Sequence, residues 1–90
     1  MRGKFSLVAG PEAPITIHQD ANLFIARLDK GAEAKQSLAS GRHAWVQVAR
    51  GVVKLNGTEL KAGDGAAISD ASEVRVESRE PSEVLLFDLA

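Results

Sequence analysis

The chain has 90 residues, 11 Lys and Arg against 12 Asp and Glu, and no cysteine. The length gives room for one domain, the lack of cysteine excludes disulfide frameworks, thiolate zinc sites and cysteine nucleophiles, and the basic residues, scattered singly from Arg2 to Arg79, form no stripe that would track a nucleic-acid backbone. Hydrophobic residues make up 44% of the chain but 14 residues are alanine, so the core is thin and pairing with a second copy or a neighbouring domain would help to cover it.

The N-terminal stretch MRGKFSLVAGPEAP has charge but no apolar segment of the length a signal peptide needs, and the longest run of large apolar residues is VLLF at 84–87. The expectation is a cytoplasmic chain with no membrane span. Short apolar and β-branched runs then recur with turn residues between them, the pattern of an all-β barrel or sandwich. Strands are expected at 4–8, 15–18, 22–28, 34–38, 44–50, 52–56, 59–60, 66–68, 73–77 and 83–89. Pro11 and Pro14 interrupt the first gap because proline lacks the N–H that a ladder needs. Asp29-Lys30-Gly31 signals a turn. GAEAKQSLAS, which follows, is rich in helix formers, and two helical turns are an alternative there. The alternation of Ala32, Ala34, Gln36 and Leu38 with Glu33, Lys35 and Ser37 favours a half-exposed strand.

In HAWVQVAR, if Ala44, Val46 and Val48 face the core, Trp45, Gln47 and Ala49 face the other way. Trp45 is expected first to pack beneath another strand. The alternatives are an interface with a second subunit or domain, shared with Gln47, and a platform for a ligand. Asn56-Gly57 is a two-residue hairpin signal of the type I′ kind, and Gly63-Asp64-Gly65 marks the next turn, where the Asp64 carboxylate is expected to accept backbone N–H groups. No lysine of the Walker pattern follows these glycines, so they make no phosphate loop. The polar candidates for chemistry are His18 and His43, each more simply read as an ordinary strand histidine. Ser37, Ser40, Ser69, Ser72 and Ser82 lie in no nucleophile-elbow pattern and are expected in turns or at the surface.

The stretch from Gly41 to Asp70 resembles the core of a cupin, a double-stranded β-helix in which a strand ends at a glycine (Gly51), a second runs into a Gly-containing hairpin (Asn56-Gly57) and a third follows a Gly-Asp turn (Gly63-Asp64). More specifically, ITIHQDANLFIARLDKG, GRHAWVQVARGVVKLNG, LKAGDGAAISD and EVLLFDL are similar, in that order, to the C-terminal cupin of pirin-like proteins, a two-cupin family that includes quercetin dioxygenases. The resemblance implies an all-β single-domain cupin, with the family's metal held in the other, N-terminal cupin. A metal-binding cupin supplies a His-x-His pair, a glutamate before the strand-ending glycine and a third histidine after the Gly-Asp turn. The matching positions here are Leu38–Ser40, Ala44, and Glu73 or Val74. None is an imidazole, and Glu73 alone is a weak site. The resemblance therefore implies no catalytic, cofactor or metal residue in this chain, and a non-catalytic module that pairs with or regulates a catalytic partner, as a homodimer or against a sister cupin. The alternatives are a quercetin dioxygenase-like enzyme, which would need a redox metal, and a barrel that binds a small apolar ligand without chemistry.

Overall fold

The computed structural model describes residues 5–10, 15–16, 21–69 and 72–89. Their regular structure is ten strands: β1 (Phe5–Gly10), β2 (Ile15–Thr16), β3 (Ala21–Leu28), β4 (Glu33–Ser37), β5 (His43–Arg50), β6 (Val52–Leu55), β7 (Thr58–Lys61), β8 (Gly65–Ser69), β9 (Glu73–Ser78) and β10 (Ser82–Leu89). They form a larger sheet in the order β2-β1-β3-β10-β5-β8 and a smaller one in the order β4-β9-β6-β7. Every pairing is antiparallel except the short parallel one between β1 and β2. The expected all-β, cupin-type fold is the observed one, with strand bounds close to those read from the sequence. Residue 4 and residues 17–18 of the expected strands lie outside the described residues.

The segment for which a helix was the alternative is strand β4, paired with β9 from Glu33↔Glu77 to Ser37↔Glu73. Its helix-forming composition is outweighed by what pairing achieves: Ala34 at 1% exposure, and Leu38 just past the strand at 4%, both enter the core against the smaller sheet's own neighbours. Turn chemistry fixes the remaining connections. Asn56 and Gly57 both have positive φ, 45° and 93°, as a type I′ turn demands. The Asn56 side chain then spans to β9, donating from Nδ2 to the Glu73 carbonyl (3.3 Å) and accepting at Oδ1 from the Arg75 N–H (2.8 Å). At the next turn Asp64 accepts from the Lys61 N–H at 3.0 Å, the structural role expected of it.

The core lies between the sheets and is almost wholly aliphatic. Leu28, Val46, Val48, Val53, Val74, Val76, Val84 and Leu86 are each 1% exposed or less. Two serines are buried with them, which corrects the surface placement expected of Ser82: at 6% exposure its Oγ lies 2.7 Å from the Glu80 carbonyl and 3.3 Å from that of Val52. Ser78, also at 6%, bonds through Oγ to the Asp29 and Ala32 carbonyls. Each hydroxyl satisfies a chain crossing between the sheets, where an unpaired carbonyl would be costly.

Gly51 joins β5 to β6 with φ +85°, and a Cβ there would lie 2.1 Å from Ser82 Oγ and 2.5 Å from the Pro81 carbonyl oxygen. Gly57 has a similar φ but open space around it. Both substitutions to alanine incur left-handed strain, and only the first also collides with backbone. Gly51→Ala is expected to lose about 3 kcal/mol of stability and Gly57→Ala about 1 kcal/mol, measured as the shift of the urea unfolding midpoint at constant slope. Equal losses would show that the contact with β10 at Gly51 is relieved without cost.

Candidate functional site

The barrel interior is the first place to look for chemistry. Ala44 on β5 faces inward at 3% exposure, Leu38 is buried, and Val74 on β9 is fully buried, while Glu73 beside it points outward and is exposed. A metal centre needs nitrogen or oxygen donors converging on one point, and these positions bring methyl and isobutyl groups together instead. Among the described residues no group of three or more His, Asp or Glu side chains is placed to hold a metal ion. The interior does not fit the family's metal.

His43 starts β5 on the face opposite Ala44. It is exposed, and its Nδ1 shares a hydrogen bond with Ser69 Oγ on β8 at 3.0 Å. That pair sits at the open end of the larger sheet without a carboxylate bonded to the ring. The nearest ionic pair, Arg42 Nε to Asp88 Oδ1 at 2.6 Å, has side chains only 18% and 13% exposed, and Arg42 Nη2 also donates to the Asp88 carbonyl at 3.2 Å. It ties the approach to β5 to the end of β10. His18 lies outside the described residues.

The outer face of the larger sheet is different. Cross-strand register places side chains there in rows: Leu23, Phe87, Trp45 and Ala67 form one, and Ile25, Leu85, Gln47 and Gly65 the next. Leu23, Ile25, Leu85 and Phe87 are half-buried, and Trp45 and Leu89 are 40% and 39% exposed. Monomeric proteins seldom leave contiguous large apolar side chains open in this way, and such a band bounded by polar residues marks an interaction surface. At one end the rim is the row Arg27, Glu83 and Arg50, and at the other it is His43 and Ser69.

Trp45 therefore faces outward, as the alternation required, but it is not packed beneath another strand. No described strand crosses that face. The indole lies instead against the edge of the sheet over Gly65, where an added Cβ would come within 2.4 Å of its Cζ2. Trp45 Nε1 donates to Gln47 Oε1 at 3.3 Å, and Gln47 Nε2 donates to the Asp64 carbonyl at 3.1 Å. This chain of bonds holds the ring flat. Trp45 and Gln47 were legible as outward residues. Leu23, Ile25, Leu85, Phe87 and Leu89 were missed as a surface, although the signal was present in EVLLFDL, whose apolar residues occupy both phases of the alternation.

Comparison with known proteins agrees with this architecture. The quercetinase C-terminal cupin domain family matches residues 7–89. The chain belongs to that family. The chain is 37% identical over 92 residues to quercetin 2,3-dioxygenase of Escherichia coli (strain K12), an alignment that takes in 99% of this chain and 39% of that protein. The crystal structure of YhhW from Escherichia coli superposes with a TM-score of 0.92 at 34% identity, covering 100% of this chain and 40% of that one. The structure of the bacterial pirin YhhW from Escherichia coli in complex with nickel(II) superposes with a TM-score of 0.90 at 35% identity, again over 40% of its chain. The cupin described here thus spans about two fifths of the length of the relatives it matches. No helix among its described residues is long and apolar enough to cross a membrane.

Because the atoms nearest a β-carbon at position 65 belong to the exposed Trp45 ring and to the end of the half-buried Gln47 side chain, both can swing away. Gly65→Val is expected to alter the near-UV circular dichroism of the single tryptophan while stability falls by less than about 1 kcal/mol. An unchanged tryptophan signal would contradict the placement of the indole.

Proposed function

We propose that this cupin is a metal-free, non-catalytic module that works by pairing: the outer face of its larger sheet is the seat for the remainder of a pirin-like two-cupin protein, and in the isolated chain for a second copy. The observation that carries this reading is the contrast between the two faces of β10. Its inward residues are sealed in an aliphatic core, whereas its outward residues, with Leu23, Ile25 and Trp45, form an uncovered apolar band. Relatives more than twice as long supply the material to cover it. The cleavage of quercetin named for relatives is then a property of the longer proteins, because oxygen chemistry on a flavonol needs donors that the interior positions Ala44, Leu38 and Val74 lack.

One observation favours a second reading, a binder of small apolar molecules. Between the edge strands β7 and β8 lies a cavity of about 200 Å³ lined by Leu55, Leu60, Ala66, Ala67 and Ile68 together with Asn56 and Thr58. A thermal-shift series with small aromatic compounds tests it, since a ligand that binds only the folded state raises the melting temperature with concentration. Absence of any such rise sets this reading aside.

For the pairing reading, sedimentation equilibrium of the purified chain is expected to show weak reversible self-association in the millimolar range. Phe87→Lys is expected to weaken it about 30-fold or more while leaving the far-UV circular dichroism unchanged. The same preparation, incubated with nickel(II) or iron(II) and dialysed, is expected to retain metal well below one ion per chain. A strict monomer across that range would overturn the pairing role of the isolated chain. Stoichiometric metal, or chelator-sensitive turnover of quercetin by this chain alone, would overturn the non-catalytic assignment.

A further inference from the structure

We infer that the concavity at one end of the larger sheet, bounded by Arg27, Arg50, Pro81, Ser82 and Glu83, is a binding site for a single carboxylate. This assignment does not depend on the pairing role. The site arises from the backbone. Register places Arg27, Glu83 and Arg50 side by side on β3, β10 and β5, and between Glu83 and Val84 the pairing with β5 slips, so that β5 carries an extra residue just before its end. A bulge of this kind twists a strand and re-aims its side chains. Gly51, with φ +85°, then turns the chain sharply into β6 while Pro81 leads into β10. The strand ends diverge and leave a hollow of about 250 Å³.

The charges in the hollow decide its ligand. Glu83 Oε2 is bonded to Arg27 Nε at 3.0 Å, which occupies one edge of that guanidinium. The Arg50 side chain makes no ion pair or hydrogen bond among the described residues. Two guanidinium groups against one carboxylate leave one net positive charge, matched to a monoanion. A planar carboxylate accepts two parallel N–H bonds from a guanidinium edge. The Glu83 carboxylate opposes any anion in the hollow, and it opposes a phosphate dianion about twice as strongly as a carboxylate monoanion. Ser82 Oγ is already bonded to the Glu80 and Val52 carbonyls, so it forms the floor without adding a donor. Selectivity therefore rests on the arginines and on Glu83, and since the Arg27 side chain is 67% exposed the affinity is expected to be millimolar.

The test is an NMR titration of the labelled chain with sodium acetate, read at the Arg27 and Arg50 Nε–H signals and the Ser82 and Glu83 amides, against sodium chloride at equal ionic strength. Acetate is expected to give a saturable shift that chloride does not, and Arg50→Gln to abolish it. Glu83→Gln is expected to tighten acetate about fivefold and to make inorganic phosphate bind where the unaltered chain ignores it. Dilution in the absence of acetate distinguishes the source of the carboxylate. If an acidic side chain of a second copy occupies the site, the same signals move with protein concentration and acetate displaces it. If they do not, a free carboxylate is the ligand. The inference fails if chloride reproduces the shifts, if Arg50→Gln retains them, or if neither acetate nor protein concentration moves these signals.

Discussion

A strand that is apolar on both faces has to be covered on both faces, and β10 is such a strand. It lies near the middle of the larger sheet, paired along its whole length with β3 and with β5, so its alternation sets the phase of both neighbours. Val84 and Leu86 point inward and are fully buried, aligned with Ala26 and Val48 and with Phe24 and Val46. Leu85, Phe87 and Leu89 point outward: Leu85 aligns with Ile25 and Gln47, Phe87 with Leu23 and Trp45, and Leu89 with Ala21 and His43. The smaller sheet covers the first set. The described residues offer nothing that covers the second, and the proposed pairing surface follows from that asymmetry.

Most of the fold was legible because it rests on local signals: turn glycines with positive φ at 31, 51, 57 and 63, and period-two alternation in β5 and β9. The one segment with conflicting signals, around Glu33 to Ser37, was decided by pairing with β9, which local propensity does not report. The candidate surface was half legible. Trp45 and Gln47 could be assigned to the outer face from alternation alone, but how exposed Trp45 is depends on whether another strand crosses it, a tertiary fact. The apolar band was harder to read because an apolar run such as EVLLFDL looks the same whether its second face is buried within the chain or left for a partner. The buried serines escaped for a related reason: Ser78 and Ser82 are inward because they serve carbonyls at the ends of other strands.

The aliphatic interior and the exposed apolar exterior are linked by the shortage of large apolar side chains. A small domain buries a modest share of its surface, and each polar donor placed inside it would carry a desolvation cost unless paired or metal-bound. With Ala44, Leu38 and Val74 at the positions a metal centre would use, the interior closes with no buried side-chain polar atom left unsatisfied among the described residues. The ion pair Arg42–Asp88, short and mostly shielded from solvent, fastens the end of β10 without intruding on the aliphatic centre.

Magnitudes indicate what kind of partner suits the outer band. Full burial of a large apolar side chain contributes about 1.5–3 kcal/mol, and since no side chain of the band is more than 40% exposed, covering it yields at most about 4–7 kcal/mol. Free association of two molecules costs a comparable amount, about 4–15 kcal/mol, in lost translation and rotation. A second copy binding from solution therefore gains little net free energy. A domain joined through the same chain meets the band at an effective concentration of about millimolar or more, with no such loss at each encounter. On the proposed pairing, a surface that would hold a second copy only weakly would thus be sufficient to hold a tethered neighbour firmly, which is the situation in which a thin-cored barrel gains most from a covering domain.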